Sequence, residues 1–280
     1  MRVFITGAGG QVGRELVEAF DGHEVIAADH ATLDVGDRDA VLQAITASAP
    51  DAVIHAGAWT AVDACEGDPD RAFRDNALAT RHVAEAASRV DAGLCYLSTD
   101  YVFDGTKVDP YDEWDAPNPT SVYGRSKLGG EEELDPGDTI VRTSWVCGFH
   151  GNNMVKTILR LASEHDQLSF VSDQRGHPTF AADLARMVRR LVLDQRPGLF
   201  HVTNQGAVSW YEFARAVLSA AGLDPSRVEP ITTADLEPPR PAPRPANSVL
   251  DNAALRLGGL DLLPHYRETL DPLVGRLLSS

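Results

Sequence analysis

Short apolar runs alternate with longer amphipathic stretches through the first two thirds of the chain. The runs at residues 2–6, 24–28, 51–55, 94–98 and 139–143 read as short buried strands. Between them, residues 11–20, 38–48, 72–89 and 123–134 carry the wider spacing of helices. This alternation predicts an α/β, doubly wound parallel sheet with helices on both faces and ligands at the carboxyl ends of its strands. Beyond Trp145 the rhythm loosens. Helices are expected at 153–164, 182–193 and 209–221, the last with Ser209 as N-cap, and a strand at 199–202. Residues 237–245 hold five prolines and no helical period, which makes them an extended loop. The expected division is a dinucleotide-binding domain from residues 1–145 and about 181–207, with a smaller lobe from about 146–180 and 208–280.

Composition narrows the class. With 280 residues, 43% apolar and 24% charged, the chain is that of a soluble globular protein, long enough for one large α/β domain or for one domain with a smaller appendage. No run approaches the roughly 20 apolar residues of a membrane span, and a strand opening at Arg2 is expected to leave no room for a signal peptide. Cys65, Cys95 and Cys147 fit no metal pattern and are expected to be reduced, in a cytoplasmic protein. A net charge of −16 argues against a nucleic-acid partner, and an anionic ligand would need local Arg or Lys.

The segment from Gly7 to Gly13 joins the first strand to the first helix. The three-glycine form G-x-G-x-x-G fails because Val12 stands where its last glycine belongs, whereas G-x-x-G-x-x-G fits with Gly7, Gly10 and Gly13. Such a turn brings backbone close to a pyrophosphate, which the amides and dipole of the helix then hold. Gly7, Gly10, Gln11, Val12 and Gly13 are therefore candidate cofactor contacts. Asp29 ends the second strand, where it could accept from adenosine ribose hydroxyls and favour NADH. His30 next to it would offset that charge, so NADH and NADPH both stay open. Asp34 and Val35 either reach the adenine or form a solvated turn. Ala56-Gly57-Ala58, after the third strand, is small enough for a nicotinamide ribose to lie close.

Tyr123 and Lys127 stand four residues apart and share a helix face. A phenol with an ordinary pKa of about 10 becomes more acidic beside a fixed cation, so this tyrosine can pass a proton to or from a carbonyl oxygen. After the fourth strand, either Ser98 or Thr99 could hydrogen-bond that carbonyl and share a proton with Tyr123.

These residues carry a resemblance to the extended short-chain dehydrogenase/reductase superfamily. Within it the chain resembles the dTDP-4-dehydrorhamnose reductases over nearly its whole length. The matching segments include Thr60-Ala-Val-Asp63, Ser98-Thr-Asp-Tyr-Val-Phe-Asp-Gly105, Val122–Glu131, Arg142-Thr-Ser-Trp-Val146 and Arg244-Pro-Ala-Asn-Ser248. The resemblance implies NADH- or NADPH-dependent reduction of a 4-keto sugar nucleotide in a monomer or homodimer. It makes Tyr123 the proton donor and lets Lys127 hold the nicotinamide ribose, with Thr60 among the cofactor contacts. Thr99, Asp100 and Tyr101 would meet the sugar, and Trp145 would flank it.

Related dehydratases carry Thr-Asp-Glu after the fourth strand, but this chain has Thr99-Asp100-Tyr101, which argues against elimination of water. A diphosphate needs cations here, with Arg244 preferred over Arg240, Lys156 and Arg160. Some family members are associated with Mg²⁺. Glu15 could supply one ligand, but no full oxygen cage follows from spacing, so no metal is expected. Reduction of another dTDP-4-keto-6-deoxy sugar, and a non-catalytic role like that of the methionine adenosyltransferase β-subunit, remain alternatives.

Overall fold

Six parallel strands form the centre of the computed structural model, which describes residues 1–279. They are β1 (Arg2–Thr6), β2 (Glu24–Ala28), β3 (Ala52–His55), β4 (Gly93–Thr99), β5 (Thr139–Thr143) and the edge strand Gly198–His201. From one edge the order is Gly198–His201, β5, β4, β3, β1, β2. The winding reverses between β1 and β3, so the crevice of this α/β sheet opens above their carboxyl ends. The register aligns those ends: Thr6 pairs with Ala28 and His55, and Thr99 with Thr143.

Alternation along β1 explains the layers. Val3 and Ile5 pack with Leu16 and Leu184, beneath α1 (Gln11–Ala19) and the helix Ala181–Leu193. Phe4 points the other way, to Val41, Ile45 and Val83 from α2 (Arg38–Ser48) and the helix Ala79–Arg89. A separate core gathers Phe180, Phe213, Tyr266 and Leu270 among the helices Met154–Glu164, Trp210–Ala220 and Tyr266–Leu278. Ser209 does cap the second of these, in a reciprocal capping box with Glu212.

Two local readings change. The helix expected at 72–89 begins earlier and is not uniform. After α3 (Val62–Gly67) come α4 (Pro69–Phe73), a π-helical turn at Arg74–Leu78, and α5 (Ala79–Arg89). The wide turn carries Asn76 inward, where its Oδ1 accepts from Trp59 N (2.7 Å) and its Nδ2 donates to Ser126 Oγ (2.9 Å). The following helix, α6 (Val122–Glu131), is shorter than 123–134. No helix among the described residues is long and apolar enough to cross a membrane.

Candidate active site

A cleft of about 550 Å³ opens at the switch point. Its floor is the glycine turn. Gly7 has φ +67°, and a Cβ there would stand 2.6 Å from Gly57 N, so the ends of β1 and β3 touch only because Gly7 lacks a side chain. Gly10 N donates to Gly7 O at 2.9 Å, and a Cβ on Gly13 would collide with that same carbonyl. No side chain caps α1, so its first amides at Gln11, Val12 and Gly13 are left for the cleft they line. This uncapped cradle suits a pyrophosphate.

Across the cleft stands α6. Ser121 caps it by accepting from Gly124 N (3.0 Å). Glycine disfavours a helix interior by about 1 kcal/mol each relative to alanine, yet here it permits contact. A Cβ on Gly124 would strike the Tyr101 carbonyl, and one on Gly130 the Tyr96 hydroxyl. The helix thereby lies close on β4, and Tyr123 and Lys127 both line the cleft.

Lys127 is 2% exposed; its Nζ donates to Leu97 O at 2.7 Å and lies 4.0 Å over the Tyr96 ring. Burial pulls its pKa down to about 7, against the pull of Glu131 in the other direction. The Tyr123 phenol is pushed well up, chiefly by burial, with its hydrogen bond to Thr99 opposing the rise and Asp100 adding to it. Burial thus sets the direction of the Tyr123 shift, opposite to the acidification expected from Lys127.

The neighbouring strand end sorts its hydroxyls. Thr99 meets Tyr123 and donates to Asp100 Oδ1 (3.0 Å). Ser98 instead donates to Glu131 Oε1 (2.5 Å), away from the phenol. Asp100 is 1% exposed; burial raises its pKa to about 6 although Ser248 and Thr99 bond it, and its Oδ2 has no partner. Tyr101 sets its ring edge-to-face with Tyr123, centroids 5.6 Å apart.

Other candidates fall on both sides of the line. Ala56, Ala58, Thr60 and Trp145 border the cleft. Gly57 lies beneath the turn rather than on the cleft wall. Gln11 lines it, but its side chain is a bracket, donating to Val146 O (2.9 Å) and accepting from Asn153 Nδ2 (2.9 Å). Asp29 stands over Gly9, whose Cβ would lie 3.1 Å from that of Asp29, with its Oδ1 held by Ala31 and Thr32.

Asp34 and Val35 are not gathered with the site. Asp34 Oδ1 accepts from Gly36 N (2.9 Å) in the solvated turn, and Val35 O meets His82 Nδ1 (3.2 Å). Arg244 lies behind Tyr101 with its guanidinium already paired to Asp63 at 2.5 and 2.8 Å, and Arg240 is 3.6 Å from the same carboxylate. Arg160 pairs with Glu164 on its own helix (2.6 Å). Lys156 Nζ donates to Gly151 O (2.9 Å) at the cleft rim.

Two features, one on the cleft and one behind it, are not evident from sequence. Trp210 stacks flat on Trp145, centroids 3.6 Å apart and planes 8° apart. One face of the Trp145 indole is thus covered, and the Gly176 backbone also closes on the ring, so Trp145 offers a sugar less open surface than expected. Its backbone sits at φ +44°, a conformation costly for a bulky residue and held by this packing. The other is Glu131. It is buried and takes Arg142 Nε (2.9 Å) and Nη2 (2.6 Å) as well as Ser98. Its sequence signals were a helical spacing of four from Lys127 and its place at the end of the matching segment Val122–Glu131. Among the described residues no group of three or more His, Cys, Asp or Glu side chains could hold a metal.

An uncapped glycine turn at a sheet switch point, faced by Thr99, Tyr123 and Lys127, defines a dinucleotide-dependent site of the extended short-chain dehydrogenase/reductase class. The family described as RmlD substrate binding domain matches residues 1–279, and the chain belongs to it. It is 40% identical to the spore coat polysaccharide biosynthesis protein SpsK of Bacillus subtilis, over 96% of this chain and 95% of that one. A solved dTDP-4-dehydrorhamnose reductase from Clostridium acetobutylicum superposes with a TM-score of 0.95 at 42% identity, covering 99% of this chain and all of that one. The Bacillus anthracis dTDP-4-dehydrorhamnose reductase, solved in complex with NADP, superposes with a TM-score of 0.94 at 39% identity, covering 98% and 99%.

Proposed function

We propose that this chain reduces dTDP-4-dehydro-L-rhamnose to dTDP-L-rhamnose with NADPH or NADH. The observation that carries the proposal is the convergence of Thr99, Tyr123 and Lys127 on one cleft with the uncapped start of α1. The nicotinamide cofactor supplies hydride to the C4 carbonyl carbon. The free amides of Gln11, Val12 and Gly13 would hold its pyrophosphate over the Gly10 backbone, and Ala56, Ala58, Thr60 and Lys127 its nicotinamide end. Asp29 is assigned to the adenosine ribose.

Tyr123 gives its proton to the sugar oxygen as negative charge develops there. A raised pKa suits that direction. The phenol stays protonated until a far more basic alkoxide forms, and the Asp100 charge reinforces this by opposing phenolate. Thr99, whose one hydroxyl proton rests on Asp100, turns it to the same carbonyl when the sugar is bound. Asp100, Tyr101 and the Trp145–Trp210 pair enclose the sugar. Arg244, with Arg240, meets the diphosphate in competition with Asp63.

On this reading residues 1–145 and about 181–207 bind the cofactor, and about 146–180 with 208–280 bind the sugar nucleotide. The protein works in the cytoplasm as a monomer or homodimer without a catalytic metal. Supplying purified protein with dTDP-4-dehydro-L-rhamnose and NADH, then NADPH, tests the proposal. Oxidation of either cofactor with formation of dTDP-L-rhamnose is expected. Cofactor binding without oxidation would point to the non-catalytic role, and turnover only with a different keto sugar would reassign the substrate.

A further inference from the structure

We propose that Glu131 is a positioning residue for the reduction: buried one helical turn from Lys127, it keeps that side chain an ammonium. The inference rests on the assignment of Lys127 to the nicotinamide end of the cofactor.

Tyr123, Lys127 and Glu131 recur every four residues along α6 and form one stripe of the helix. Lys127 faces the Leu97 carbonyl and the Tyr96 ring on β4, and the Glu131 charge one turn along its own helix acts on it. From β3, His55 stacks behind Tyr96 with centroids 5.6 Å apart, and burial with the nearby Lys127 charge pushes its pKa down to about 3. The ring thus stays neutral and supplies no further cation. From β5, Arg142 grips Glu131 through two nitrogens, both partners being nearly inaccessible. Two basic side chains and one carboxylate, all nearly buried, therefore share the region behind the cleft wall.

Removing the carboxylate would leave two buried cations without a counter-charge. Arginine does not release its proton in proteins, so lysine would yield instead. Ser98 ties the same carboxylate to the strand that ends at Thr99, so the charge that serves Lys127 is anchored to the frame that places the reacting hydroxyls.

The test compares pH profiles of kcat/KM, and of NADH affinity, for Glu131→Gln and Arg142→Gln. Activity that needs the ammonium is present at low pH and lost as pH rises. Glu131→Gln is expected to move that limb acidward by about one pH unit, a roughly tenfold loss above it. Arg142→Gln releases Glu131 toward Lys127 and is expected to move the limb in the alkaline direction.

Opposite signs are the signature of charge, because loosened packing lowers activity by the same factor at every pH. Shifts of one sign, or losses independent of pH, overturn the proposal. Should Glu131→Gln fail to fold, Glu131→Asp keeps the charge and is expected to hold the limb in place. An Arg142→Gln limb that stays fixed would then overturn it. The NADH titrations read the limb without sugar, so shifted binding with no turnover would fault the substrate assignment and leave the role of Glu131 standing.

Discussion

In the proposed reduction the proton leaves Tyr123, a group that burial makes reluctant to lose it. Tyr123→Phe removes the proton and little else, since the ring keeps its edge-to-face contact with Tyr101. It is expected to lower turnover by roughly 10²–10⁴-fold while the dissociation constant for NADH stays within a factor of about two. Full turnover in that variant would remove Tyr123 from the mechanism. Asp100 allows a stability prediction. Its carboxyl rises to about 6 on folding, chiefly through burial. Between the ordinary carboxylate range and that value the folded chain holds a proton that the unfolded chain has released, so stability falls as pH rises through the window. Asp100→Asn is expected to erase a component of up to about 3 kcal/mol from the difference in unfolding free energy between pH 4 and pH 7. Urea titrations at the two pH values measure it, and an unaltered difference would assign the slope to other groups.

At the scale of the element, α6 shows how local preference and packing compete. Gly130→Ala ought to strengthen an isolated helix by about 1 kcal/mol. In place, the added methyl meets the Tyr96 hydroxyl and the Asn76 carbonyl, so a net loss of roughly 1–3 kcal/mol is expected from thermal or urea unfolding. A stabilised variant would mean the helix can slide on β4. Much of this architecture was legible beforehand: β1, β2, β5 and α2 stand where the apolar runs and helical spacing put them. The π turn was not, because nothing in Arg74–Leu78 distinguishes an inserted residue from ordinary helix until Asn76 finds Trp59 and Ser126. The Tyr123–Lys127 pair was legible from spacing. Its electrostatics were not, since desolvation depends on everything packed around a group rather than on the one neighbour four residues away. Trp210 and the occupied state of Arg244 were hidden for a similar reason, as both depend on partners more than 60 positions distant.

For the whole molecule, the proline-rich segment matters because it returns to the first half of the chain. Arg244 and the Ala242 amide both bind Asp63, and Pro245 packs on Gly105. Arg244→Ala is expected to raise KM for the nucleotide sugar by roughly tenfold or more with a smaller change in kcat. An unaltered KM would transfer the diphosphate to Lys156 or Arg240.

The path of the backbone has a further effect on how the molecule can be taken apart. After β5 the chain leaves the sheet, returns as the helix Ala181–Leu193 and the edge strand Gly198–His201, and departs again. A polypeptide stopped near residue 150 would lack both returning pieces, baring Val3, Ile5 and Val141 to solvent. On the proposed division, exchanging sugar preference between relatives requires two simultaneous transplants, one on each side of the returning strand, because end-to-end fusion at any one junction would strand an unsealed hydrophobic layer.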